Sequence, residues 1–556
     1  MASMGAPRRS RASGDRLLTF ALTLAVLLPL LAFFVVPLIA ILGKSISTPE
    51  GLGLGNYLRV MGSRRFLELV INSVAMSGLA SLITVILAFI FAYATQRCRL
   101  PGRGLLTLIA MLPLFAPSLV QAQGLVLLLG RNGILNRQFG LGIDIYGFWG
   151  VVIANVLYAF PFALLILSAA LAVGDARLYE SARVMGARPL RMFWTITLPG
   201  ARYGLAAAFF VAFSLIMTDF GNPVVIGGDF NVLATEVYNQ VIGQANFELG
   251  AVIGVVLLTP AVLAQLIESR LSARQVQAVS AQSKPLDIRP DRARDAAFGC
   301  AALLIAGLIL LVIGVVFFAS FVRLWPYNMS FTTRHYQFDV QNGLAPLWTS
   351  IAVAAMAALL GTLMTSLAAI VVQKFRSRAT GLIVMLSLMS SAVPGMVLGL
   401  GYVLAFNNPA NPLNPLYGTL LLIPILIVYY MHAQGFLITL TSLKQISGSF
   451  DEAATTLGAT RLRTIATVTL PLIWPSLVSV GVLFFMRAMV TLSAVIFIIS
   501  PTTQVAAVSV LHLTDRGAVN QAAAFSVCIM AVVIGVLLGL KLLLALFGVR
   551  DVRLIR

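Results

Sequence analysis

Few residues in this chain combine a reactive type with an unusual setting, and Arg487 and Asp219 are foremost among them. Each lies in a long apolar stretch, Arg487 near the middle of one and Asp219 toward the outer end of another. A charge facing lipid is costly, so a cation in such a place faces a cavity or a partner. Arg487 could there attract an anionic group, with Asp219 balancing it or meeting an amine. A structural ion pair between the two, or an arginine capping backbone carbonyls, is the competing use. Thr491 and His432 join the same candidate path. For His432 a hydrogen bond to a neighbouring helix is the alternative.

No reaction centre emerges from the remaining inventory. The three histidines, His335, His432 and His512, are far apart. Cys98, Cys300 and Cys528 have neither metal-ligand spacing nor a disulfide framework. Gly43-Lys44-Ser45 resembles the end of a phosphate-binding loop, but Leu38 stands where a glycine is required and no strand precedes it. The sequence therefore predicts no catalytic residue, metal site or cofactor site in this chain. If ATP energises its work, another polypeptide supplies the nucleotide site.

The elements that must position Arg487 and Asp219 come from a duplication. Glu180-Ser181-Ala182 with Gly186 recurs as Glu452-Ala453-Ala454 with Gly458. The first copy runs on to Ile196-Thr197-Leu198-Pro199 and the second to Val468-Thr469-Leu470-Pro471, and without a gap about half of the aligned positions agree. Leu190/Leu462, Arg191/Arg463 and Thr195/Thr467 are among the identities. The carboxylates Asp451 and Glu452 favour the start of a short helix. The small residues beside the glutamate keep a face low for an approaching protein, the glycine lets the backbone turn, and the proline is expected to break the element before the next span. This describes a docking surface in an otherwise lipid-compatible sequence.

Composition puts that surface on a membrane protein. Hydrophobic residues make up 59% of the 556 and charged residues 10%, with a mean hydropathy of +0.96, more apolar surface than such a chain could bury from water. Apolar runs recur at about the 20-residue length that crosses a bilayer, and the short alternating segments of a β-barrel are missing. The expected fold is an all-α polytopic membrane protein of about twelve transmembrane helices in two parallel six-helix repeats. The spans centre on 17–43, 71–95, 105–129, 147–174, 201–220 and 248–268, then 297–322, 346–373, 381–406, 418–440, 476–499 and 521–547. The division is a first transmembrane domain at 1–272 with a loop at 175–200, a linker at 273–296, and a second domain at 297–556 with a loop at 444–475. Pro113, Pro117, Pro161 and Pro394 fall within spans and are expected to kink them or open backbone toward a cavity.

Basic residues concentrate on one side: Arg8, Arg9, Arg11 and Arg16; Arg97, Arg99 and Arg103; the motif loops; the linker; Lys374, Arg376 and Arg378; and Arg550, Arg553 and Arg556. The positive-inside rule makes that side cytoplasmic, with both termini inside. The same distribution accounts for the net charge of +19 and speaks against a nucleic-acid partner, which would call for charge gathered on one face.

At the two motif copies the chain resembles the inner-membrane permeases of ATP-binding-cassette importers that work with a substrate-binding protein. Their signature is Glu-Ala-Ala, three residues, Gly, nine residues, Ile, one residue, Leu-Pro. Both copies keep its spacing, with Ser181 for the first alanine and Val468 for the isoleucine. The resemblance covers essentially the whole chain as two fused permease domains of the type I importer fold. It implies that Glu180, Ser181, Ala182, Gly186, Glu452, Ala453, Ala454 and Gly458 couple to two cytoplasmic ATPase subunits, which bind the ATP, and that a periplasmic binding protein delivers the solute. Within the group, fused permeases of this length resemble those for ferric iron and for 2-aminoethylphosphonate. The stretches Thr218 to Thr235, Gln240 to Gln244, Leu400 to Gly418 and Thr491 to Phe497 incline toward the second. Polyamine and thiamine permeases share the fold. An ion-coupled secondary transporter is the alternative class, and the few acidic residues inside spans count against it.

Overall fold

In the computed structural model, residues 8–172, 175–277, 290–338, 343–375 and 377–546 are described. The side chains of residues 8–15 and 273–277 are not. Lys284, Arg289, Asp339, Arg376, Arg550, Arg553 and Arg556 lie outside the described residues, as do both chain ends and residues 278–289 of the linker at 273–296.

The regular structure of the described residues is helical apart from two short antiparallel hairpins. In the first Ser47 pairs with Leu52, and in the second Val322 pairs with Phe331. Among the described residues nine helices are long and apolar enough to cross a bilayer, and up to twelve spans result when each of three bent helix pairs counts as one. Their outward faces are apolar: on the helix Arg292–Ser320, Leu303, Leu304, Phe317 and Phe318 are all at least half exposed. Such a surface is stable against acyl chains and would drive association in water.

Three expected spans are not straight. Arg103–Phe115 and Leu119–Phe139 meet at 105° around Pro113 and Pro117, and Thr380–Ala392 and Gly395–Phe406 meet at 113° around Pro394. Leu422–Tyr430 and His432–Gln445 meet at 59°. Proline supplies the break in the first two, through its missing N–H and the clash of its ring with the preceding turn. Pro161, in contrast, lies inside the continuous helix Phe148–Ala172.

The prolines ending the two motif copies do not break their elements, contrary to the sequence expectation. Pro189–Met217 and Arg461–Val490 each run through as one span. Immediately before Pro199 and Pro471 lie the π-helical turns Phe193–Thr197 and Ile465–Thr469. There the N–H of Leu198 donates to the Phe193 carbonyl and that of Leu470 to the Ile465 carbonyl. The wider turn shifts the hydrogen-bond register and accommodates a residue with no N–H, so the helix continues past the proline.

The chain forms two compact units. One gathers residues 45–347 and 505–532, the other residues 1–44, 348–504 and 533–556. Each unit thus takes its first span from the opposite half of the duplication. In the unit built on the second half, the Tyr402 hydroxyl donates to the Phe33 carbonyl at 2.7 Å, and Gly401 sits so close to Pro37 that a Cβ would lie 2.7 Å from its carbonyl oxygen. In the unit built on the first half, the helix Arg292–Ser320 takes the equivalent place. A Cβ on Gly124 would meet the Val312 carbonyl oxygen at 2.4 Å, and Asn520 caps the end of that helix with bonds to the carbonyls of Ala319 and Val322. Glycine permits both close approaches because no side chain stands between the backbones.

Candidate functional site

The first motif loop is a helix–turn–helix built on three local signals. Asp175 accepts the Arg177 N–H at 3.0 Å and starts the helix Ala176–Val184. Gly186 ends it in the left-handed region, at φ 74°. Its N–H donates to the Arg183 carbonyl, and that of Ala187 to the Ala182 carbonyl. Pro189 then opens the next helix, where its missing N–H is no loss.

What holds this loop is a small buried cluster of Tyr179, Ala182 and Met192, with Ala187 and Ile196 against it. The hydroxyls of Tyr179 and Thr197 share a buried hydrogen bond of 2.9 Å. The Arg97 guanidinium lies 5.3 Å from the centre of the Tyr179 ring and donates to the Leu171 carbonyl at 2.8 Å. Buried Arg97 thereby joins the ends of two spans, Arg64–Arg97 and Phe148–Ala172, to the loop. Ala182 is small in order to fit its own loop's core, whereas Glu180, Ser181 and Gly186 are exposed. Of the two small residues beside Glu180, Ser181 thus faces outward and Ala182 inward.

The second loop repeats the backbone and changes the anchor. Its helix Ser449–Thr456 has Asp451 and Glu452 in the first turn, and Gly458 again takes the left-handed region, at φ 75°. None of the residues of this helix is buried: Glu452, Ala453 and Gly458 are exposed and Ala454 is half-buried. Where the first copy has Tyr179 the second has Asp451, which pairs with Lys374 at 2.5 Å. A cavity of about 180 Å³ lies beside this pair, lined in part by Thr455, Ala459 and Arg461.

Both loops present matched apolar residues outward. Leu178, Met185 and Leu190 are more than half exposed in the first, and Phe450, Leu457 and Leu462 at the equivalent positions in the second are half exposed or more. Sequence reasoning missed the first two pairs because they differ in residue type, and missed Arg97, Tyr179 and Lys374 because nothing in their spacing marks them. The signal available was the retention of an apolar type at positions 178/450 and 185/457.

The four path candidates are placed differently. Arg487 is half-buried and lies in the last turn of the helix Arg461–Val490, not mid-span. The helix ends where Thr491 turns extended, at φ −71° and ψ 123°, and there its N–H at 2.9 Å and its hydroxyl at 2.5 Å both donate to the Arg487 carbonyl. Residues beyond it form turns, so the span expected to reach 499 ends at Val490, nine residues early. The Arg487 charge accordingly complements the carbonyl end of its helix. Asp219 follows the end of Pro189–Met217 and is buried. Its carboxylate accepts the Asn222 N–H at 3.0 Å. The Asn222 side chain in turn accepts the Ala122 N–H and donates to the side-chain amide oxygen Oδ1 of Asn155. His432 is buried at the 59° bend, stacked between Tyr429 and Phe436, with Nε2 3.2 Å from the Ser387 hydroxyl.

Comparison with known proteins adds an independent line. Residues 97–277 and 361–548 match the family described as binding-protein-dependent transport system inner membrane component. The chain is 29% identical over 551 residues to the ferric transport system permease protein FbpB of Actinobacillus pleuropneumoniae, covering 94% of this chain and 78% of that protein. It is 30% identical over 181 residues to the molybdenum transport system permease protein ModB of Escherichia coli, covering 31% and 79%. With the spermidine/putrescine transport system permease protein PotB of Haemophilus influenzae it shares 29% over 222 residues, covering 37% and 82%.

Proposed function

The chain belongs to the binding-protein-dependent transport system inner membrane component family, and on that premise we propose that it forms the whole translocation path of an ATP-driven importer. As a non-enzymatic, multi-pass subunit of the inner membrane it needs its energy from outside. The loops at 175–200 and 444–475 would receive two ATPase subunits on the cytoplasmic face, with both chain termini on that side. One observation carries this reading: two loops of the same backbone, each turned by a left-handed glycine, expose apolar side chains at the same three positions. A surface of that kind suits a partner that presents two equivalent clefts. Binding and closure of the ATPase pair would then bias the path between inward- and outward-facing forms. A periplasmic binding protein would deliver the solute.

Ferric iron is the substrate this reading favours, supported by the near full-length similarity to a ferric transport permease. The second reading, 2-aminoethylphosphonate, rests on Arg487, a cation at a helix end that suits an anionic group. Asp219 and His432 are held by neighbours in their own units, and we assign them structural parts; Thr491 shapes the backbone under Arg487.

Reconstitution tests both levels. Uptake into proteoliposomes should require an added ATPase and ATP, and uptake driven by an ion gradient alone would overturn the importer reading. Radiolabelled ferric iron and 2-aminoethylphosphonate, each presented by its binding protein, distinguish the substrates. Arg487→Gln should abolish phosphonate uptake and spare iron uptake if the second reading is correct; unchanged phosphonate uptake removes Arg487 from the path.

A further inference from the structure

A cavity of about 690 Å³ beside the first span has the chemistry of a lipid headgroup site. Three arginines line it from separate parts of one unit: Arg16 from the first span, Arg378 from the turn before Thr380, and Arg461 from the short helix after Gly458. Below them the wall is apolar, formed by Phe20, Leu24 and Leu27. Phe20 is 65% exposed and Leu24 39%, so the trough opens sideways, toward the acyl chains that surround a membrane helix.

A second observation is independent of the arginines. Thr23 lines the same cavity and is 8% exposed, yet its hydroxyl has no hydrogen-bond partner. A threonine inside a helix ordinarily donates to the carbonyl four residues back, and a buried hydroxyl left without a partner costs free energy. An acceptor placed in the cavity would satisfy it.

We propose that this cavity binds an anionic phospholipid, with the phosphate held by Arg16, Arg378 and Arg461, the Thr23 hydroxyl donating to a headgroup or ester oxygen, and an acyl chain lying along Phe20 and Leu24. Cationic pockets between membrane helices select anionic headgroups, and guanidinium forks match phosphate oxygens. A soluble acidic partner would have no use for the lateral apolar trough, which is why the lipid is the occupant assigned. Because Arg461 begins the helix after Gly458, a bound headgroup would also bear on the position of the second loop.

The test uses the purified full chain, delipidated in detergent and titrated with phosphatidylglycerol or phosphatidylcholine while native mass spectrometry counts retained lipid. Phosphatidylglycerol should be preferred on the order of a hundredfold, as expected for three basic side chains at a membrane surface. The Arg16→Gln/Arg378→Gln/Arg461→Gln variant should lose that preference. Leu24→Trp, which keeps the charges and fills the trough, should lower retention at unchanged thermal stability, so the idea stays testable if the triple variant fails to fold. Equal retention of the two lipids by the native chain would overturn the proposal, as would an unchanged preference in both variants. Displacement of bound phosphatidylglycerol by millimolar inorganic phosphate would also overturn it, in favour of a free-phosphate site.

Discussion

Replacing Tyr179 by phenylalanine removes one oxygen from the first motif loop and should loosen that loop alone. The lost contact is the buried 2.9 Å hydrogen bond to Thr197, and a bond of this kind contributes a net ~1 kcal/mol. At about 1.4 kcal/mol per factor of ten, the open fraction of the loop should rise roughly fivefold. Tyr179→Ala goes further: it empties the cluster with Ala182 and Met192 and removes the ring beneath Arg97. Truncating a buried aromatic ring costs about 3–5 kcal/mol, more than a nine-residue helix with three buried residues can lose and stay docked. Hydrogen–deuterium exchange in nanodiscs reads this directly, with residues 175–197 as the test segment and 444–469 in the same molecule as the internal control. Phenylalanine should accelerate exchange in the first segment about fivefold, alanine should leave it nearly unprotected, and the second segment should be unchanged in both. Equal acceleration of both segments, or none in the first, would refute the account of separate anchors.

The mirror-image variant is Lys374→Met, which should loosen 444–469 and leave 175–197 unchanged. The Lys374–Asp451 pair is partly solvated, so the effect on that segment should be small, at most about fivefold. Gly186→Ala and Gly458→Ala should each strain a left-handed turn by about 1–2 kcal/mol, although an added Cβ would meet nothing within 4 Å at either site; transport-coupled ATP hydrolysis should fall while membrane insertion, followed by protease protection, is retained. Cys98 should resist alkylation in the folded chain, since burial pushes its thiol up to about 11. At pH 8 its thiolate fraction lies on the order of a hundredfold below that of a free cysteine. In a Cys300→Ser/Cys528→Ser background, labelling should be slow at pH 8 and rise steeply above pH 10; rapid labelling at pH 8 would show that Cys98 is exposed.

Much of this molecule was legible in one dimension because a bilayer imposes strong rules. Every backbone polar group must be satisfied inside its own segment, so an apolar run of sufficient length is a helix. The repeat then marked both loops, and the αL turns at Gly186 and Gly458 followed from glycine's freedom at that spacing. What hydropathy could not carry was direction within the lipid-compatible runs. It does not distinguish a straight span from the 105° and 113° bends at Pro113 and Pro394, because both are equally apolar. Nor does it say that a π-helical turn carries Pro199 through a continuous helix, or that the helix of Arg487 ends at Val490.

Composition, apolar periodicity and the duplicated spacing of Glu180 to Pro199 and Glu452 to Pro471 determined the class, the repeat and the place of the two loops. These depend on local chemistry and on the solvent, both of which are written in consecutive residues. Tertiary structure alone decided which spans pack together, so that the first span of each half joins the opposite unit. It also decided how each loop is anchored: Tyr179 on Thr197 in one, Asp451 on Lys374 in the other. Those choices depend on which distant groups are brought within 3 or 4 Å of each other, and no spacing along the chain encodes that.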